Sequence, residues 1–234
     1  MENKIIPKGY FRESHNPYYS IVAALPLLVI YEVLLAITQS GYWQTRNAAD
    51  VWLRNILTMF NLTSQQMFFV MMTILMVLIP FAHVKYGALK WKFFAFVLIE
   101  SLVYSVLFGM VIRLILSPIF MADPMSGGLL QNIALSIGAG LFEEFMFRVV
   151  LLNVLFFVLK PFLKSIPLSA LIAILTASFI FSASHYVGSL SDPFGLYSFL
   201  FRWIAGLMFT AIYFLRGFAV AAYTHAFYDI WVFI

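Results

Sequence analysis

Apolar residues fill most of the chain in runs of about twenty positions, and short polar stretches separate these runs. A helix of that length rises about 30 Å, which is the thickness of the hydrocarbon core of a bilayer. The pattern therefore predicts an all-α, polytopic membrane bundle of about seven transmembrane helices. The predicted spans cover residues 20–38, 65–83, 92–117, 129–159, 168–186, 195–215 and 217–234.

One polar segment, between 39 and 64, has a different pattern. Apolar side chains recur on one side of it at helical spacing, and polar side chains occupy the other side. The apolar set is Val51, Trp52, Ile56, Leu57 and Phe60, and the polar set is Asp50, Arg54 and Asn55. At about a dozen residues this helix is too short to span, so we expect it to lie in the membrane interface.

Composition excludes several classes of protein. Hydrophobic residues make up 63% of the 234 positions and charged residues only 10%, well outside the range of soluble domains. The absence of cysteine removes disulfides, thiolate catalysis and cysteine-based metal sites. A dispersed net charge of +4 is too small for a nucleic-acid-binding surface. The expected partners are the lipid bilayer and a substrate held in it.

Basic residues indicate the topology. With seven spans, one side of the membrane collects nine lysines and arginines, and the other collects only Arg46 and Arg54. The positive-inside rule then places the N-terminus in the cytoplasm, and we expect a bacterial cytoplasmic membrane. Without repeats or linkers, the chain is predicted to form one domain. It comprises a cytoplasmic tail (1–19), N-terminal helices (20–128) and a C-terminal core (129–234).

The stretch around Glu143, Glu144 and Arg148 places three ionisable side chains inside an apolar run. Each costs roughly 2.5–3.5 kcal/mol at bilayer depth, so something must compensate. On a helix, Glu144 and Arg148 lie four positions apart on one face, with the acid first, the favourable order for an ion pair. Glu143 is left without that partner. A structural ion pair and a functional site both remain open for this segment alone.

The run that holds these residues, 129–159, is longer than one crossing requires. Gly138 and Gly140 are predicted to break it, so that 141–160 forms the span and 129–137 packs before it. Other intramembrane acids need partners as well. Glu32 is expected to be protonated or paired with an arginine, with a catalytic role as the alternative. Glu100 and Arg113 are too far apart on one helix to pair with each other, so we expect their partners on other helices.

Two histidines are placed near helix ends or acids. Phe181 precedes His185 by one turn, and His225 and Asp229 share one face of the last span. An acid beside a histidine fixes its tautomer, which is common in purely structural settings too. A lone histidine can also serve as a hydrogen-bonded core residue, and Asp229 could instead pair with Arg202.

Three motifs that follow one another along the chain resemble the signature of the CPBP (Abi) family of intramembrane proteases, which includes the CAAX prenyl endopeptidases. The motifs are Glu-Glu-x-x-x-Arg, Phe-x-x-x-His and His-x-x-x-Asn/Asp, each on its own predicted helix. The matching residues are Glu143, Glu144 and Arg148, then Phe181 and His185, then His225 and Asp229. The resemblance covers residues 129–234. It implies an all-helical fold with a hydrated site and peptide-bond hydrolysis as the activity.

Given this resemblance, we assign Glu143 as the general base and His185 as its partner in holding the water, while His225 faces the oxyanion. Glu144 and Arg148 support the site. Asp229 departs from the commoner asparagine, and an ionised carboxylate cannot donate to an oxyanion.

Asp229 is therefore expected either to orient His225 or to belong to a zinc-centred version of the site. The zinc ligands in that version would come from Glu143, His185, His225 and Asp229. The metal-free mechanism is the one we favour from the sequence.

Two other functions are compatible with intramembrane acids and histidines. One is a transporter or proton-coupled channel subunit, which would be favoured by inverted repeats that the sequence lacks. The other is an inactive family member acting as a scaffold or immunity factor. The presence of every motif residue favours the protease, with a membrane-associated or lipidated peptide as substrate.

Overall fold

The structure is a computed structural model that describes residues 9–38, 45–59, 61–62, 66, 73, 90–116, 128–188 and 191–233. The described residues form helices and contain no strand. The helices are α1 (Tyr10–Ser14), α2 (Pro17–Thr38), α3 (Ala48–Thr58), α4 (Trp91–Leu116), α5 (Leu129–Leu163), α6 (Ile166–Ser184), α7 (Leu196–Arg216) and α8 (Phe218–Phe233). The predicted all-α class is confirmed.

Helices α2, α4, α5, α6 and α7 are long and apolar enough to cross a membrane. The predicted span 65–83 lies outside the described residues, and α8 has only 16 residues, so the count of seven is not confirmed. The 11-residue α3 matches the predicted amphipathic segment. Large apolar side chains such as Ile99 and Leu114 of α4 are exposed, as expected for a surface that faces lipid. The protein is an integral membrane helical bundle.

The predicted break before residue 141 is wrong, because α5 continues through both glycines as one 35-residue helix. Its middle widens into π-helical turns at Ala139–Glu143 and Phe145–Leu151. The glycines permit close packing instead. A Cβ at Gly138 would lie 2.5 Å from the Tyr31 ring of α2. Small residues at such crossings let helices approach each other in lipid.

Helix α8 occupies the centre of the bundle, packed against α2, α4, α5 and α7. Its first half is buried throughout and rich in alanine, from Phe218 to Ala226. A Cβ at Gly140 would lie 2.4 Å from the Ala222 carbonyl oxygen, so α5 and α8 are in backbone contact at this level. This contact brings His225 beside the acidic pair of α5.

Intramembrane acids are paired across helices, as predicted. Glu32 of α2 accepts hydrogen bonds from Arg46 at 2.9 and 3.0 Å and from Arg54 at 2.6 Å. Glu100 of α4 pairs with Arg216 at the end of α7. The side chain of Arg113 is exposed, and its predicted partner on another helix remains a prediction.

Candidate active site

Glu144 is the most buried acid of the candidate site, with no exposed surface. Its Oε1 lies 3.0 Å from Nη1 of Arg148, so the predicted pair along the helix is confirmed. The same oxygen accepts a hydrogen bond of 2.7 Å from Nδ1 of His225 on α8. One carboxylate thus joins an arginine of its own helix to a histidine 81 positions later in the chain.

The His225 ring is held on two further sides. Phe209 of α7 stacks on it with ring centroids 4.3 Å apart and planes 18° from parallel. Nε2 lies 3.6 Å from Oδ2 of Asp229, beyond hydrogen-bonding distance. Orienting His225 is one of the two roles expected of Asp229, and the other is that of a zinc ligand. The imidazole is fixed instead by the hydrogen bond that its Nδ1–H donates to Glu144, which lies on another helix.

Arg148 is buried among aromatic rings and helix backbone. Its guanidinium carbon lies 4.5 Å from the centroid of Phe181 and 5.6 Å from that of Phe209, and Nη2 donates to the Gly206 carbonyl at 3.2 Å. These contacts and Glu144 compensate the desolvated cation. Arg148 therefore belongs to the scaffold that fixes Glu144.

His185 follows the last residue of α6 and is partly buried. Its Nδ1 lies 3.0 Å from the carbonyl oxygen of Phe181, one turn earlier. With Nδ1–H donated to that carbonyl, Nε2 carries the free lone pair. Burial lowers the pKa of the His185 imidazole, against the opposing attraction of the nearby Glu143 carboxylate. A neutral ring with an available Nε2 can accept a hydrogen bond from water.

The Phe181 ring lies between the two histidines. Its centroid is 5.2 Å from that of His185 and 6.3 Å from that of His225, and both pairs are edge-to-face. The phenylalanine of the second motif thus contacts both imidazoles and the Arg148 cation. The three motif helices meet at this ring.

Glu143 does not share the hydrogen-bond partners of its neighbour Glu144. It is almost completely buried, and its Oε1 accepts a hydrogen bond of 2.8 Å from Nδ2 of Asn47. Asn47 precedes α3 and lies outside every motif. This residue could not be predicted from the sequence, because no periodicity connects a loop asparagine to an acid 96 positions later.

Two alternatives that the sequence left open, a pair between Arg202 and Asp229 and a zinc site, are not found among the described residues. Arg202 donates to Asp192 at 2.5 Å and to the Tyr186 hydroxyl at 2.8 Å, so the pair suggested between Arg202 and Asp229 is replaced by a contact near the end of α6. In the described part of the chain, no three His, Asp or Glu side chains are arranged to hold a metal ion. The candidate zinc ligands do not fit a metal centre in this arrangement.

The family model described as type II CAAX prenyl endopeptidase Rce1-like matches residues 125–231, which include all three motifs. No curated protein and no solved structure matches the chain.

Proposed function

We propose that the chain is an intramembrane endopeptidase, because residues 125–231 match the model of the Rce1-like type II CAAX prenyl endopeptidases. It would hydrolyse a peptide bond in a membrane-associated or lipidated substrate. The observation that best supports this proposal is the contact between motifs. His225 of α8 is hydrogen-bonded to Glu144 of α5, while Glu143 lies outside that hydrogen bond.

Hydrolysis begins with a water molecule between the Glu143 carboxylate and Nε2 of His185. Glu143 takes a proton from the water, and the resulting hydroxide attacks the carbonyl carbon of the scissile bond. His185 accepts the remaining water proton in a hydrogen bond, which directs the oxygen lone pair at the substrate.

The tetrahedral intermediate carries its negative charge on the former carbonyl oxygen. His225 would donate to this oxyanion from Nε2. Since Nδ1–H is already donated to Glu144, the ring can donate from Nε2 only as the imidazolium. The buried Glu144 carboxylate stabilises that cation. Glu143 then returns its proton to the amine nitrogen as the carbon–nitrogen bond breaks.

A cleavage assay with the purified protein in liposomes tests the proposal. The probes are a fluorescence-quenched farnesylated CAAX peptide and the same peptide without the farnesyl group. We expect wild type to cleave the lipidated probe and Glu143→Gln to lower kcat/KM by about 10²–10⁴-fold. Glu13→Gln is the matched control, because it removes a carboxylate that pairs with Lys90 away from the site.

Two outcomes contradict the proposal. If wild type cleaves neither peptide, the chain is an inactive family member. If Glu143→Gln cleaves as fast as wild type, the assigned base is wrong. Equal cleavage of both peptides would retain the endopeptidase and remove the preference for a lipidated substrate.

A further inference from the structure

Asn47 contacts the candidate base from a part of the chain that the family match does not include. Three of its polar groups form hydrogen bonds with three different residues. Its Oδ1 accepts the backbone N–H of Ala49 at 2.9 Å, its backbone N–H donates to the Tyr31 hydroxyl at 3.2 Å, and its Nδ2 donates to Glu143.

The first of these bonds fixes the orientation of the amide. Asn47 immediately precedes α3, and its Oδ1 satisfies a free backbone N–H in the first turn, which is the usual role of an N-cap side chain. With Oδ1 committed to Ala49, the NH₂ group must face Glu143. An amide turned the other way would lose the cap and place two acceptor oxygens together. The donor direction is therefore set by α3 itself.

An ionic cluster holds this end of α3 against α2. The buried Tyr31 hydroxyl donates to Asp50 at 3.0 Å, and Asp50 also accepts from Arg46 and Arg54. Both arginines bind Glu32 as well. Tyr31 in turn packs edge-to-face against Phe142, with ring centroids 5.3 Å apart. Tyr31 thus links Asn47 both to this cluster and to Phe142, the residue next to Glu143.

We infer that Asn47 is a positioning residue for the Glu143 base, an inference that rests on the proposed function. Its Nδ2–H fixes Oε1, so the carboxylate is held in one rotamer with Oε2 left to take the proton of the water. Hydrogen bonds from the surroundings to a catalytic carboxylate orient it, and their loss reduces the rate of the chemical step without removing substrate-binding contacts.

The test distinguishes the loss of the Nδ2 hydrogen bond to Glu143 from the loss of the N-cap of α3. Asn47→Ser and Asn47→Asp both retain a good N-cap, but neither can donate from Nδ2. Asn55→Asp is the matched control, because Asn55 is an exposed asparagine on α3, the helix that Asn47 caps. Each protein is assayed with the farnesylated CAAX peptide in liposomes for kcat and KM, and its thermal unfolding is recorded in parallel.

We expect both Asn47 variants to lower kcat by about 10–100-fold with KM nearly unchanged, and Asn47→Ser also to keep nearly the wild-type melting temperature, while Asn55→Asp behaves as wild type. Asn47→Asp should be the slower, since it adds a carboxylate opposite Glu143. Wild-type kcat in both variants would overturn the inference, as would a loss that only follows the loss of folded protein. If Glu143→Gln itself remained active, the proposed function would fail instead, whatever the Asn47 variants did.

Discussion

His225 and Glu144, on the last helix and in the middle of α5, share a buried hydrogen bond of 2.7 Å. The oxygen that accepts it also lies 3.0 Å from Arg148, so the histidine, the acid and the arginine form one connected unit. Glu144 is therefore committed to a scaffold that holds the imidazole. This arrangement distinguishes it from its neighbour Glu143, which contacts Asn47 and remains the candidate base.

The first prediction concerns this buried pair. Glu144→Gln leaves the Arg148 guanidinium without its counter-charge and should destabilise the protein by about 3–5 kcal/mol. The double variant Glu144→Gln with Arg148→Met removes both charges and should cost less than Glu144→Gln alone. The free energy of unfolding in mixed detergent micelles gives both values. Additive losses in the double variant would show that the two side chains do not compensate each other.

The second prediction concerns Asp229, which stands where the third motif more commonly has asparagine. Since Glu144 rather than Asp229 fixes the His225 imidazole, Asp229→Asn should keep kcat for the farnesylated peptide within about tenfold of wild type. A loss as large as that of Glu143→Gln would show that the Asp229 carboxylate is itself required, as in a metal-centred site.

The third prediction tests the contact between α5 and α8. Gly140→Ala places a Cβ within 2.4 Å of the Ala222 carbonyl oxygen and 2.6 Å of the Ala226 nitrogen, on both sides of His225. We expect a loss of about 1–3 kcal/mol in the free energy of unfolding and reduced cleavage. Gly109→Ala is the control, because its Cβ would meet only the Tyr228 ring at 3.6 Å. Equal free energies of unfolding for Gly140→Ala and Gly109→Ala would contradict the backbone contact between α5 and α8.

The fourth prediction concerns the N-terminal helix α1. Arg216 donates to the Phe11 carbonyl at 3.3 Å and to the Ser14 hydroxyl at 2.9 Å while it pairs with Glu100. Arg216→Met should release α1 and accelerate limited proteolysis within Tyr10–Ser14. The control Arg113→Met removes an exposed arginine of α4 and should leave the cleavage rate unchanged. Protection equal to wild type in Arg216→Met would show that α1 is held by other contacts.

Local contacts were predictable from the sequence and distant ones were not. Glu144 and Arg148 lie one turn apart on one helix, so their pairing follows from helical geometry. The contacts of Asn47 with Glu143 and of Glu144 with His225 join residues 96 and 81 positions apart, and only the packing of the helices decides them.

The glycines illustrate the same limit. Gly138 and Gly140 predicted a break because glycine weakens an isolated helix. In the bundle they lie where α2 and α8 approach α5. Because glycine has no side chain, the helices can pack closely at these positions. The uninterrupted helix also places Glu143 well inside α5 rather than near its start.

We expect Glu143 and His185 to act on the same water molecule, and a double-variant cycle measures whether their contributions are coupled. The rate of cleavage of the farnesylated peptide is measured for Glu143→Gln, His185→Ala and the combination. If both side chains act on one water molecule, removing either of them already abolishes their joint effect on the rate. The combined variant should therefore be no slower than the slower single variant. Losses that multiply, or single variants that cleave at the wild-type rate, would contradict the account.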